Sequence, residues 1–276
     1  MNTQVFDGKA HAKQKEEDLR YRIQDLRKKG VVPKLVSILV GDDPASHLYI
    51  SLKKKAGERV GAEVDVRSMM SDVRREEIVG LIQALNKNKS VHGIMVQLPL
   101  PKKFSRKDRD EMINTISKEK DVDGLREDSL FLTPTVKAVL EVIREATPYV
   151  VRQSYREYPY TVCVVGYRGF EGRKILNVLN EMGYEVEGLG RKTSDLKQKT
   201  KGADILISVT GTPGIIGKEE IKNGAVVIDV GSPRGDVKTE EILNKASFIS
   251  PVPGGVGPVT ISCLLENLVE AARPLK

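Results

Sequence analysis

The sequence predicts an α/β protein of two domains, each a mostly parallel sheet covered by helices, with a cleft between them. Three observations carry this. Short β-branched runs alternate with amphipathic helical patterns in both halves of the chain. A polar, irregular stretch (121–134) and a Tyr- and Pro-containing stretch (149–160) interrupt the alternation. A glycine-spaced turn, Gly166-x-x-Gly169-x-x-Gly172, follows a strand pattern and opens a helix pattern at the start of the second series.

Taken in order, residues 12–29 carry Leu19, Ile23 and Leu26 at helical spacing, and Gly30 ends the helix. Residues 34–40 (KLVSILV) form a strand stopped by Gly41-Asp42-Asp43-Pro44. A helix over 46–60 follows, with Ser46 as the expected N-cap. Residues 63–69 alternate as a strand, and Asp72 caps a helix running to Lys87. HGIMVQ (92–97) is a buried strand closed by Leu98-Pro99-Leu100-Pro101, and 105–117 is a helix. Residues 135–146 form another helix, and 149–160 read as a linker. The second series places strands at 161–166, 185–190, 204–209, 225–230 and 247–250, with helices at 173–182 and 258–273. The expected division is 1–134 as a first α/β domain, 135–249 as a Rossmann-type nucleotide-binding domain, and 250–276 as a glycine-rich loop whose helix returns to the first domain.

Composition removes several classes of function. The chain has 276 residues, 39% hydrophobic and 30% charged, which describes a globular chain. No apolar run approaches the ~20 residues of a membrane span, and residues 1–29 lack the apolar core of a secretory signal. Two cysteines, Cys163 and Cys263, in apolar surroundings read as buried thiols in a reducing cytoplasm. Three separated histidines and no Cys/His cluster predict no metal site. The net charge of +7 is spread among interleaved acids and bases, and aromatics are 5% with no Trp, so nucleic-acid binding is not expected.

The glycine turn suits a pyrophosphate, because backbone can approach it and the helix start offers free N–H groups. Glu187 sits about twenty residues downstream, where an acid would favour NAD. Arg168, Arg191 and Lys192 flank the same corner, and two guanidinium groups favour the 2′-phosphate of NADP. Tyr49 and Lys53 stand i and i+4 on one helix face. Such a pair can transfer protons if burial lowers the lysine pKa, although Lys53-Lys54-Lys55 could equally be a solvated basic face. Gln97 ends a strand where α/β ligands bind. Asp121 and Asp123 flank Val122, and alternation puts both on one side. The segment 251–260 (PVPGGVGPVT) predicts a fixed apolar loop that backbone-close ligands can approach.

GDDPASHLYISLKKKA (41–56), HGIMVQLPLP (92–101), KDVDGL (120–125), ADILISVTGTPGII (203–216), GAVVIDVG (224–231) and SPVPGGVGPVT (250–260) resemble the bifunctional methylenetetrahydrofolate dehydrogenase/cyclohydrolase family, in its order and over almost the whole chain. The resemblance implies NADP-dependent oxidation of 5,10-methylene-tetrahydrofolate and hydrolysis of the methenyl product to 10-formyl-tetrahydrofolate. It implies Lys53 as the proton-transfer lysine, Tyr49 packing on folate, and Gln97 holding Lys53 partly neutral. Asp123 would hold the pterin edge, and Leu98 with Pro253, Gly254, Gly255, Val256 and Gly257 would line the folate. Gly166, Tyr167, Arg168, Gly172, Arg191 and Ser232 would hold NADP, and the protein would be a cytoplasmic homodimer. The nucleotide loop departs from the family's Gly-Arg-Ser-x-x-Val-Gly: the arginine is one place later, at Arg168, and Arg191 stands where Ser is usual. Short-chain dehydrogenases also use Tyr-x-x-x-Lys, but after the nucleotide fold, so the order here excludes them. A different two-domain dehydrogenase, resembling shikimate dehydrogenase, would not need Tyr49 and Lys53 paired with Gln97.

Overall fold

A computed structural model describes residues 2–150, 160–190 and 193–273. The described chain divides into two compact units, one joining residues 12–134 to 261–276, the other joining 1–11 to 135–260.

The first unit is built on a three-stranded parallel sheet of β2 (Lys34–Val40), β3 (Glu63–Met69) and β4 (Gly93–Val96), in the order β3-β2-β4. Central β2 is buried along nearly its whole length, which is why its sequence is a continuous apolar run and not an alternation. Its residues nonetheless face two cores. Val36, Ile38 and Val40 join Ile94, Val96 and the helices α3 (Arg75–Lys87) and α4 (Arg106–Thr115) through Ile78, Ile82 and Met112. On the opposite face Leu35 and Met95 pack with Ala56 and Val60 of α2 (Pro44–Val60), Leu19 and Ile23 of α1 (Gly8–Lys28), and Leu264 and Leu268 of α9 (Val256–Ala271).

Two helix caps of the first unit differ from expectation. Asp43, not Ser46, caps α2: its carboxylate accepts from Ser46 N–H and Ser46 Oγ, both at 2.8 Å. Pro44 at the first helical position sets φ for the helix, so the turn begins two residues early. Asp72 does not cap α3. The helix starts at Arg75, and Glu77 closes the first turn by accepting from Arg74 N–H at 3.3 Å and Arg74 Nε at 2.8 Å.

The second unit holds a six-stranded, all-parallel sheet. Its strands are β1 (Gln4–Val5), β5 (Thr161–Val165), β6 (Glu185–Leu189), β7 (Ile205–Ser208), β8 (Val226–Asp229) and β9 (Phe248–Ser250), in the order β1-β9-β8-β7-β5-β6. From β5 the chain steps outward to β6, then back across to β7, so the order reverses between β5 and β7. In doubly wound sheets that switch point is where ligands bind, beyond the carboxyl ends of the strands. Helix α5 (Pro134–Ala146) precedes this series, and α6 (Phe170–Glu181) connects β5 to β6. The linker expected at 149–160 falls almost wholly on residues 151–159, outside the described residues, as do Arg191 and Lys192. Among the described residues, no helix is long and apolar enough to cross a membrane.

Candidate active site

Lys53 projects from α2 and is only partly exposed. Its Nζ donates to Gln97 Oε1 at 3.0 Å and to Met95 Sδ at 3.6 Å. Burial holds this ammonium below the usual lysine range, and the charge of Asp123 pulls it part of the way back. The expected solvated face therefore holds for the neighbours Lys54 and Lys55, which are exposed, and not for Lys53. Gln97 is 7% exposed and fixed from both ends. Its backbone N–H continues the sheet ladder to Ile38 O at 2.9 Å, and its Nε2 donates to Leu98 O at 2.6 Å. With the amide nitrogen committed there, the amide oxygen is the atom left to face Lys53. An acceptor oxygen favours the charged amine, so the neutral bias comes from burial and not, as the resemblance implied, from Gln97. Tyr49 lies one turn before Lys53 on α2 and is half-buried, as are Leu98 and Asp123. The structure thus brings Lys53, Gln97 and Asp123 into one electrostatic group.

Asp121 and Asp123 do not act alike. The segment is a turn and not a strand, closed by Gly124 N–H on Asp121 O at 2.9 Å with Gly124 at φ +65°, so alternation does not apply. Asp121 is fully buried and accepts from Leu125 N–H at 3.3 Å and Arg126 N–H at 3.0 Å. Burial pushes its carboxyl up, against these bonds. It pins the turn, while Asp123 stays accessible. Asn267, which the sequence reading passed over, holds the same segment: its Nδ2 donates to Val122 O at 2.9 Å and Leu132 O at 3.0 Å.

Pro253 to Gly257 lie in the other unit, by themselves. Gly254 has φ +101°, and its carbonyl accepts from Gly8 N–H at 2.9 Å. A Cβ on Gly255 would stand 2.3 Å from Ser250 Oγ and 2.5 Å from Pro251 O, so the loop tolerates no side chain there. Val256 and Gly257 form the first turn of α9, which starts two residues before the expected Pro258.

The glycine turn sits at the switch point. Gly166 has φ +96°, and a Cβ there would stand 2.5 Å from Val209 O, just beyond β7. Gly169 caps α6 and donates to Gly166 O at 2.9 Å. A Cβ on Gly172 would come within 2.4 Å of that same oxygen. The helix begins at Phe170, three residues before the expected start, so Gly172 lies in its first turn and its N–H groups open onto the bend. This tight, side-chain-free bend fits a dinucleotide pyrophosphate. Tyr167 and Arg168 sit on the bend, with Arg168 exposed and its Nε 3.2 Å from Tyr167 Oη. A Cβ on Gly190, just past β6, would stand 3.8 Å from Arg168 Cδ, so the Arg168 arm runs alongside the end of that strand. Glu187 lies inside β6 and not at its end, and it is ion-paired with Lys199. Ser232 is exposed on the loop after β8.

Two acids below this rim went unnoticed in the sequence. Asp229 accepts from the N–H groups of Gly231 (2.8 Å), Asp236 (3.1 Å) and Val237 (3.0 Å), and burial pushes its carboxyl up. Asp236 accepts from Ser208 Oγ at 2.9 Å and Thr210 N–H at 2.6 Å. Together they fix the loops leaving β7 and β8.

A doubly wound nucleotide fold and a separate parallel-sheet unit carrying a desolvated lysine are the parts that a pyridine-nucleotide oxidoreductase uses. Family models described as tetrahydrofolate dehydrogenase/cyclohydrolase, catalytic domain, and tetrahydrofolate dehydrogenase/cyclohydrolase, NAD(P)-binding domain, match residues 6–123 and 133–276. The bifunctional protein FolD of Bacillus pumilus is 40% identical over 99% of this chain and 99% of its own. The crystal structure of the bifunctional FolD methylenetetrahydrofolate dehydrogenase/cyclohydrolase from Campylobacter jejuni is 35% identical, covers 98% of each chain, and superposes with a TM-score of 0.90. That of the Trypanosoma brucei enzyme, complexed with NADP cofactor and an inhibitor, is 31% identical over 98% of this chain and 97% of its own, with a TM-score of 0.88. The chain belongs to the tetrahydrofolate dehydrogenase/cyclohydrolase family.

Proposed function

We propose that this protein oxidises 5,10-methylene-tetrahydrofolate with NADP and hydrolyses the resulting methenyl cation to 10-formyl-tetrahydrofolate. The observation that carries the reading is Lys53: a desolvated amine held on Gln97 Oε1 at 3.0 Å, biased toward its neutral form. When bound, the nicotinamide supplies the hydride acceptor for the first reaction. Gly166, Gly169 and Gly172 make room for its pyrophosphate, Tyr167, Arg168 and Ser232 line the bend and the neighbouring loop, and Arg168 serves the 2′-phosphate, together with Arg191. In the second reaction, water adds to the methenyl carbon. Neutral Lys53 takes one proton of this water and hands it to N5 as the carbon–N5 bond breaks, and the remaining hydroxyl proton passes to solvent as the formyl carbonyl forms. Asp123 binds the pterin edge, and its charge opposes the effect of burial on Lys53, which helps the amine hold the proton until N5 takes it. Tyr49 packs on the folate, and Leu98 with Pro253, Gly254, Gly255, Val256 and Gly257 shape its surroundings. Gln97 orients Lys53.

The test is spectrophotometric. Purified protein should reduce NADP with methylene-tetrahydrofolate and bleach methenyl-tetrahydrofolate, and kcat/KM should favour NADP over NAD. NADP binding without turnover of either folate would contradict the reading, and a preference for NAD would remove the role given to Arg168 and Arg191. The protein is proposed to work in the cytoplasm as a homodimer, for which light scattering should give twice the chain's 30.5 kDa.

A further inference from the structure

We propose that Met95 is a positioning residue for Lys53. Its thioether and the Gln97 amide oxygen accept two N–H bonds of the amine, so that the one remaining vertex of Nζ has a fixed direction for proton transfer. The inference rests on the reading of Lys53 given above.

The geometry comes from the strand. Met95 and Gln97 are i and i+2 at the carboxyl end of β4, so both side chains leave the same face of the sheet. Lys53 descends onto that face from α2 and meets both, at 3.6 Å and 3.0 Å. Nζ carries Cε and three further tetrahedral positions. In the neutral amine two of these are N–H bonds and the third is the lone pair. Two acceptors from one strand take both N–H bonds, and the lone pair occupies the only position left. With Gln97 alone, the amine could turn about its single hydrogen bond and point its lone pair in several directions.

The chemistry of the acceptor matters as well. A carboxylate in place of Met95 would hold the lysine charged and useless as a base. A thioether is a weak, uncharged, polarisable acceptor, able to orient an N–H without capturing the proton. Met95 is also enclosed: it is 1% exposed and belongs to the same buried cluster as Leu35, Ala56, Val122 and Leu268. Ser37, its register partner on β2, shares that face and keeps a buried hydroxyl with no hydrogen-bond partner. The sheet face next to Lys53 is therefore more polar than an ordinary core requires.

The experiment compares wild type, Met95→Leu, Lys53→Met and the double variant in the full-length protein, with methenyl-tetrahydrofolate as substrate. Met95→Leu keeps the volume and removes the acceptor. We expect kcat to fall about ten-fold, as for a modestly misdirected group, with KM within two-fold and NADP affinity unchanged. In the Lys53→Met background the same change should cost nothing further, because the two residues act as one unit. Should Met95→Leu fail to fold, norleucine at position 95 exchanges only the sulfur for a methylene and gives the same comparison. A kcat within two-fold of wild type, or an equal fractional loss in both backgrounds, overturns the proposal and leaves Lys53 in place. A Lys53→Met protein that hydrolyses normally overturns the reading of Lys53 and this proposal with it.

Discussion

Gly166→Ala tests the nucleotide bend with a magnitude that the structure supplies. The added Cβ would stand 2.5 Å from Val209 O and 2.8 Å from Val209 C, both backbone atoms of the segment leaving β7. Neither can move without lifting Val209 and Thr210, and Thr210 N–H is bound to buried Asp236 at 2.6 Å. The φ of +96° adds a left-handed cost of roughly 1–2 kcal/mol. Relief of the clash adds about 1–3 kcal/mol, as for overpacking, for a total near 2–5 kcal/mol. In a protein of this size each kcal/mol lowers Tm by roughly 2–4 °C, so the expected fall is about 4–20 °C. Gly183→Ala is the control: its φ is +84°, but nothing lies within 4 Å of its Cβ, so only the backbone cost applies. Thermal unfolding and NADP titration measure both variants. Gly166→Ala should melt well below Gly183→Ala and lose NADP affinity at least ten-fold, because the bend must open where the pyrophosphate would lie. A Gly166→Ala protein that melts with Gly183→Ala and binds NADP normally would refute the placement of the cofactor at this turn.

Gln97→Ala removes the acceptor at 3.0 Å from Lys53. That bond favours the charged amine more than the neutral one, so its loss lowers the lysine pKa further. The ascending limb of the cyclohydrolase pH profile should move to lower pH, while the plateau kcat falls on the order of 10–100-fold from lost orientation; a limb that moves upward would reverse the assigned role. Cys163 is buried, with desolvation pushing its thiol up to about 11, and Cys263 is wholly enclosed. At pH 8 neither should react with a thiol-specific chromophore until denaturant is added. Rapid labelling of the native protein would contradict their burial.

The parts of the site legible in the sequence were those governed by short-range periodicity. Tyr49 and Lys53 share a helix face because they are four apart, and Gln97 reaches the same lysine because a strand's carboxyl end opens onto ligand space. Met95 was hidden for the opposite reason: a methionine inside HGIMVQ reads as core, and only coordinates reveal that its sulfur meets an amine. The Asp121–Asp123 alternation failed because a turn has no period of two. Asp229 ends a strand in AVVIDV, where nothing local distinguishes a rim acid from a clamp on three backbone N–H groups. Ser46 lost the cap to Asp43 through the proline between them. The pairing of Gln4–Val5 with Phe248–Ile249 joins segments at opposite ends of the chain, and no local pattern encodes it.

Stopped-flow hydrolysis of methenyl-tetrahydrofolate by Lys53→Met bears on the central claim most directly. Removing the general base should slow hydrolysis by at least about 100-fold, with NADP affinity preserved, because the nucleotide bend lies in a different unit of the chain. Hydrolysis within three-fold of wild type would contradict the account.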